Sequence, residues 1–184
     1  MTRWRGFSLV ELLVVLGILA VLWQGALAVS AGWRVSAQAR QWSQQVMSTL
    51  SALRQRSLRE GRMWGLCGSR DGHACDALWG ERWLMFSDAN DDGIRQPGEA
   101  VLPGQMRAPA GWQALWRGFS PMPAWTANGD ASLANGTLTL CPPTGHDAAL
   151  RQIVISKTGR LRLVVPATSG AAALKSARQL CGWP

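Results

Sequence analysis

Residues 7–29 are almost continuously apolar. In residues 34–59 the apolar positions Val35, Ala39, Trp42, Val46, Leu50 and Leu53 recur at three- and four-residue spacing, with Gln, Ser and Arg between them. The first run has the length a helix needs to cross a hydrocarbon core at a rise of roughly 1.5 Å per residue. The second predicts an amphipathic helix that continues the first. Gly61 supplies a stop after Arg54, Arg56 and Arg59, whose charges suit the negative end of a helix. Beyond it the pattern shifts to short apolar or alternating runs broken by Gly, Pro, Asp and Asn, which predicts strands over 63–67, 83–86, 137–141, 152–156 and 161–165. An antiparallel sheet laid on Val46, Leu50 and Leu53 would bury both surfaces, so the expected fold is α+β: one long N-terminal helix packed on an antiparallel β-sheet domain. Residues 103–135 are patterned more weakly, with a strand expected only near 112–116. There Leu115, Trp116, Phe119 and Trp125 are expected as satellite core sooner than as a ligand cage, because a small domain needs large apolar side chains.

The ends of the apolar run add chemistry. A basic leader containing Arg3 and Arg5 stops at Gly6, with no small-x-small cleavage site after a short apolar core. Basic residues ahead of a span place the N-terminus in the cytoplasm and the following domain across the membrane. Glu11 lies one turn inside the run, where a charge costs about 2.5–3.5 kcal/mol on insertion scales and therefore implies a specific partner. The formal charge of the chain is +8, and losing the two leader arginines leaves it basic, which favours anionic partners without naming one. Four cysteines, Cys67, Cys75, Cys141 and Cys181, all lie beyond the span on the oxidising side and read as two disulfides sooner than as a metal site. His73 and His146 stand in no nucleophile or metal motif, and no Gly-rich phosphate loop comes after a strand, so a structural, non-enzymatic protein is expected.

The string Gly6-Phe7-Ser8-Leu9-Val10-Glu11-Leu12-Leu13 resembles the class III signal of type IV pilins and pseudopilins. The resemblance implies cleavage by a prepilin peptidase between Gly6 and Phe7 and methylation of the new N-terminus at Phe7. It also implies that Glu11 pairs with the N-terminal amine of a neighbouring subunit during assembly. The expected organisation is a leader over 1–6, a transmembrane half-helix over 7–29, an amphipathic half-helix over 30–60 and a β-rich pilin domain over 61–184. Residues 53–62, 66–75 and 83–99 look like the GspH/FimT family of minor pilins and pseudopilins. Ile155-Ser156-Lys157-Thr158-Gly159-Arg160-Leu161-Arg162 is similar to the Gly-Arg-x-Arg signature of its FimT-like branch, in which the arginines are implicated in DNA binding for natural transformation. The resemblance implies a single-pass protein of the bacterial inner membrane with a periplasmic type IV pilin domain, whose partners are other pilins or pseudopilins.

Three sites are expected in the domain. Four cysteines allow three connectivities. The expected one joins Cys67 to Cys75, closing a short Gly/Asp-rich loop, and Cys141 to Cys181, tying the tail to the strand that ends at Cys141. Residues 88–99 fit the calcium-loop pattern, with side-chain oxygens from Asp88, Asn90 and Asp92, the Ile94 carbonyl, Gln96 direct or through water, both oxygens of Glu99, and Gly93 at the sharp turn. The flanks are a strand and residues 100–102 where the motif has helices, which favours a metal-free polar turn. Last, Arg160 and Arg162 share a face, with Leu161 and Leu163 pointing inward, and are expected to bind DNA phosphates without sequence preference, assisted by Lys157 and Arg151. The competing functions are a minor pseudopilin near the tip of a type II secretion filament and a calcium-regulated adhesive module built on residues 112–125.

Overall fold

The computed structural model describes residues 8–76, 79, 82–92, 94–102, 106–143 and 145–183, with the side chains of 21–31 left aside. The expected leader, the Gly6–Phe7 junction and Gly93 fall outside these residues. The chain divides into two compact units, Met1–Val35 and Ser36–Pro184.

In the first unit, helix α1 (Leu9–Glu60) begins. Ser8 caps it, its Oγ accepting the Glu11 backbone N–H at 3.2 Å, so Ser8 and Glu11 stand in capping-box spacing. Leu9, Val10, Leu12, Leu13, Val14, Leu16, Ile18 and Leu19 are each more than half exposed. Among the described residues no helix is long and apolar enough to cross a membrane. Of the apolar run expected over 7–29, only the side chains of 8–20 are described.

In the second unit the remaining turns of α1 bury one stripe, Ala39, Trp42, Val46, Leu50 and Leu53, which is the three- and four-residue repeat of the sequence. The helix stops at Gly61, whose φ of 63° closes the last turn with its N–H donating to Ser57 O at 2.9 Å. Among the described residues eight strands come next: β1 (Met63–Ser69), β2 (Arg82–Asp88), β3 (Met106–Arg107), β4 (Gln113–Gly118), β5 (Ala124–Trp125), β6 (Gly136–Cys141), β7 (Arg151–Ile155) and β8 (Leu161–Val164). They form two four-stranded antiparallel sheets, ordered β3-β2-β1-β5 and β4-β6-β7-β8. The expectation of one sheet is therefore corrected to two. The short β5 crosses over to pair with β1, so the weakly patterned segment 103–135 links the sheets. With both faces covered, every residue of β1 is buried.

Tryptophan fills the space between helix and sheets. Trp42 of α1 lies 5.6 Å from Trp83 and 5.3 Å from Trp112 between ring centroids, and Trp79 meets Trp83 edge-on at 5.2 Å. The satellite core expected over Leu115, Trp116, Phe119 and Trp125 is only partly there. Trp125 is fully buried, but Leu115 is 37 % and Phe119 84 % exposed, because β4 is an edge strand and residues 119–121 form the bend beyond it. A last helix, α2 (Ala171–Leu180), comes after a turn of 3-10 helix at Pro166–Thr168. It makes a small core of its own from Leu150, Ala177 and Trp183.

Candidate functional site

The β7–β8 connection is fixed to the body of the domain through its own backbone. Three successive carbonyls of the turn are taken: Lys157 O accepts from Ala131 N at 2.9 Å, Thr158 O from the Arg54 guanidinium at 3.3 Å, and Gly159 O from Trp125 Nε1 at 3.3 Å. Arg54 Nε also donates to Gly129 O at 2.7 Å, so one helix arginine holds two loops. Gly159 closes the turn with its N–H on Ser156 O at 2.9 Å and a φ of +75°. A Cβ at that position would lie 2.3 Å from Gly129 O, so only glycine fits. With the backbone committed inward, the side chains of Lys157, Arg160 and Arg162 stand exposed. No ion pair holds any of them among the described residues. Arg162 pairs with Val154 within β8, and Arg160 immediately precedes the strand, its carbonyl accepting from Ser156 N at 3.0 Å. Leu161 and Leu163 pair with Ile155 and Ile153, yet Leu163 is 39 % exposed, so the inner face of this edge strand is incompletely covered.

Arg151 does not join this group. It is 6 % exposed, and one terminal nitrogen donates to Ala148 O and Leu150 O, each at 2.8 Å. Burial first, and then repulsion from Arg40, hold its guanidinium below the ordinary arginine value. The expected phosphate contact is thus a structural cation bracing the turn of 3-10 helix at Asp147–Ala149. Sequence reading missed Arg54, whose position near the end of α1 gave only the signal of a helix-terminal charge.

The acidic loop over 88–99 is satisfied from within. Glu99 spends its two oxygens on the Ala89 and Gln96 backbone N–H groups, at 2.8 and 2.7 Å. Asp92 Oδ1 accepts from Ile94 N at 2.8 Å and Asp88 Oδ1 from Asp92 N at 3.2 Å. Asn90 donates to Asp92 and Gln96, and Gln96 donates in turn to Asp92. Asp91 adopts the left-handed conformation, φ 59°. Among the described residues no three metal-ligating side chains are grouped to hold an ion. These side chains are arranged as a hydrogen-bonded turn.

Cys67 is joined to Cys75 and Cys141 to Cys181. Inside the first loop Asp71 accepts the backbone N–H groups of His73 and Ala74 at 2.7 and 2.9 Å. Those amides, Ala74 first, pull its carboxyl down to about 2 from an ordinary 3.8. His73 is exposed there, and His146 precedes the 3-10 turn with its carbonyl accepting from Ala149 N at 2.9 Å.

Comparison with known proteins bears on this architecture. The family model described as "Type II transport protein GspH" matches residues 43–159, stopping one residue short of Arg160. The prokaryotic N-terminal methylation motif matches residues 3–22. No curated protein matches the chain by sequence. Among solved structures the chain is similar to the type IV minor pilin FimU of Pseudomonas aeruginosa, with 19 % identity over 71 % of this chain and 88 % of that one and a TM-score of 0.50. It is also similar to the minor pseudopilin EPSH from the type II secretion system of Vibrio cholerae, with 17 % identity over 74 % of this chain and 99 % of that one and a TM-score of 0.52. At such identities these two likenesses speak for the fold. The N-terminal methylation motif, the type IV pilin fold of a helix packed on antiparallel sheets, and a family model spanning well over half of the chain converge: this protein belongs to the GspH family of minor pilins and pseudopilins.

Proposed function

We propose that this chain is a minor subunit of a type IV pilus whose β7–β8 hairpin contributes sequence-independent DNA binding through Lys157, Arg160 and Arg162. The observation that carries the reading is the anchored turn: its carbonyls are bound inward by Ala131, Arg54 and Trp125, leaving three exposed cations without ion pairs among the described residues. Two exposed guanidiniums two residues apart, one on β8 and one just before it, suit phosphate oxygens, and the absence of an interleaved aromatic in Lys157-Thr158-Gly159-Arg160-Leu161-Arg162 argues against base reading. The test is binding of a short labelled duplex to the full chain in phospholipid nanodiscs. Arg160→Gln/Arg162→Gln lowers affinity at low salt and reduces the slope of log affinity against log salt by about 2, one phosphate contact per arginine. Arg151→Gln leaves that slope unchanged. Equal affinity of wild type and the double variant would sink the DNA reading.

The same proposal assigns residues 7–29 to the inner membrane, with cleavage between Gly6 and Phe7 and methylation of Phe7. Support comes from the match to the methylation motif and from the exposed apolar side chains of residues 9–19. Glu11, capped to Ser8 in the first turn, is proposed to pair with the amine of a neighbouring subunit. Glu11→Val is then cleaved normally, as the mass of the mature N-terminal peptide reports, but enters filaments poorly. Normal incorporation removes that role.

A second reading, a minor pseudopilin of a type II secretion filament, is favoured by the match to the secretion-type family model, which ends at Gly159. Deleting the gene and scoring piliation, secretion and transformation together separates the two readings. The calcium-regulated adhesive module has no such support, since the 88–99 carboxylates are engaged by backbone amides.

A further inference from the structure

A cleft of about 610 Å³ opens between the Cys67–Cys75 loop, the edge strand β4 and the bend after it. Its volume lies within the roughly 300–1,000 Å³ of sites that hold a ligand or a few side chains. Trp79, Leu115, Trp116 and Met122 give it an apolar lining, and Arg95 and Arg117 stand among them. One wall is fixed. Trp116 donates its indole N–H to Ser120 O at 2.8 Å, and its ring lies over glycines: a Cβ at Gly118 would fall 2.3 Å from it and one at Gly136 2.7 Å.

The charge in the cleft is unbalanced. Arg95 is half-buried, and its Nε is buried without a hydrogen-bond partner among the described residues. A buried guanidinium N–H left unbonded is costly, and an incoming oxygen anion would relieve that cost. Arg117 is exposed at the mouth. The carboxylate present, Asp76, is occupied by Arg70 at 3.6 Å.

We propose that this cleft docks an acidic segment of a partner protein, one in which an aromatic or branched aliphatic side chain neighbours a carboxylate. The apolar side chain enters between Trp79 and Trp116 while the carboxylate meets Arg95 and Arg117. The rim sets the size of the partner. Phe119 is 84 % and Ile94 57 % exposed, and the apolar surface continues past Ser120 and Pro121 to a second hollow of about 310 Å³ that includes Leu133. A small metabolite held in the cleft would leave that surface wet, whereas a protein segment crossing the bend covers it. A nucleic acid strand fits less well. Its charge repeats at every nucleotide, whereas a protein segment can confine its carboxylate to Arg95 and Arg117 and lay an uncharged, apolar part over the second hollow, which Asp91 and Asp92 also line.

The probe is a set of fluorescent hexapeptides carrying one phenylalanine flanked by aspartates, by asparagines or by lysines, with the full chain in nanodiscs and empty nanodiscs as control. Binding is read by anisotropy. The aspartate peptide is expected to bind about tenfold more tightly than the lysine peptide. Arg95→Gln abolishes that preference and Arg95→Lys restores part of it. Phe119→Ser weakens all three peptides, and far-ultraviolet circular dichroism with disulfide mapping checks that each variant is folded. Arg160→Gln/Arg162→Gln leaves peptide binding intact, so failure of the hairpin reading and failure of this one are distinguishable. Equal binding of acidic and basic peptides overturns the proposal. So does displacement of the aspartate peptide by a single-stranded oligonucleotide in an Arg95-dependent manner, which would assign the cleft to nucleic acid.

Discussion

Asp71 shows how a single exposed carboxylate organises a loop. It gathers the His73 and Ala74 amides and lies beside Ser69 Oγ at 3.2 Å within the eight-residue separation of Cys67 and Cys75. Its folded-state pKa is depressed to about 2 from 3.8, so the unfolded chain binds more protons between those values and stability rises with pH across them. Its contribution is complete above the unfolded value and is lost as pH falls through about 2. Asp130 acts in the same sense, lowered by the Ser132 hydroxyl first and then the Ser132 amide. Thermal unfolding of wild type and Asp71→Asn measured from neutral pH down to acid should converge as the pH drops. Curves that stay parallel would mean the amides do not favour the ionised form. At the same scale, Arg151→Met should lower stability by about 1.5–3 kcal/mol, the range for hydrogen bonds made by a charged group, as read by denaturant unfolding.

Among elements, the β7–β8 turn and the C-terminal helix each depend on partners distant in sequence. Gly159→Ala should destabilise the domain by at least roughly 1–3 kcal/mol, the scale of a non-glycine residue held in a strained backbone region, because the added Cβ also meets Gly129 O. A variant as stable as wild type would show that the turn is not held against Gly129. Helix α2 is tied to β6 by Cys141–Cys181, separated by 40 residues, whereas Cys67–Cys75 spans 8. On the chain-entropy model the longer loop contributes roughly 4 kcal/mol and the shorter about 2.5. Replacing Cys141 and Cys181 by serine should therefore cost more than replacing Cys67 and Cys75, and hydrogen exchange should locate the loss in α2 and the Leu150–Ala177–Trp183 core.

For the molecule as a whole, the unit Ser36–Pro184 joins its parts through tryptophan. Trp42 on α1 touches Trp83 on β2 and Trp112 before β4, and Trp125 on β5 reaches the β7–β8 turn. Trp42→Ala would leave a cavity among these rings and should cost about 3–5 kcal/mol by denaturant unfolding. The loss should be shared by both sheets, so fluorescence and far-ultraviolet transitions should coincide. Separate transitions would show that the sheets unfold independently.

The sequence alone determined the elements whose signal is local. The repeat from Val35 to Leu53 named the buried stripe of α1 because helix periodicity is a property of neighbouring positions, and the capacity of Gly61 to take a positive φ marked the helix end. Five of the longer strands were legible for the same reason, their apolar residues being continuous or alternating within a few positions. Helix α2 was not among the expected elements: helix propensity is high in Ala171-Ala172-Ala173-Leu174, but ten residues with a short apolar stripe carry little periodic signal of their own. Tertiary structure decided what depends on partners far along the chain. It split the strands into two sheets through the two-residue β5, turned Arg151 inward to carbonyls that pattern cannot foresee, and engaged the calcium-like carboxylates with backbone amides. It also exposed Phe119 at an edge and brought Arg95 to a cleft with Trp116. Burial and charge pairing are set by which surfaces meet, and that is a non-local property of the folded chain.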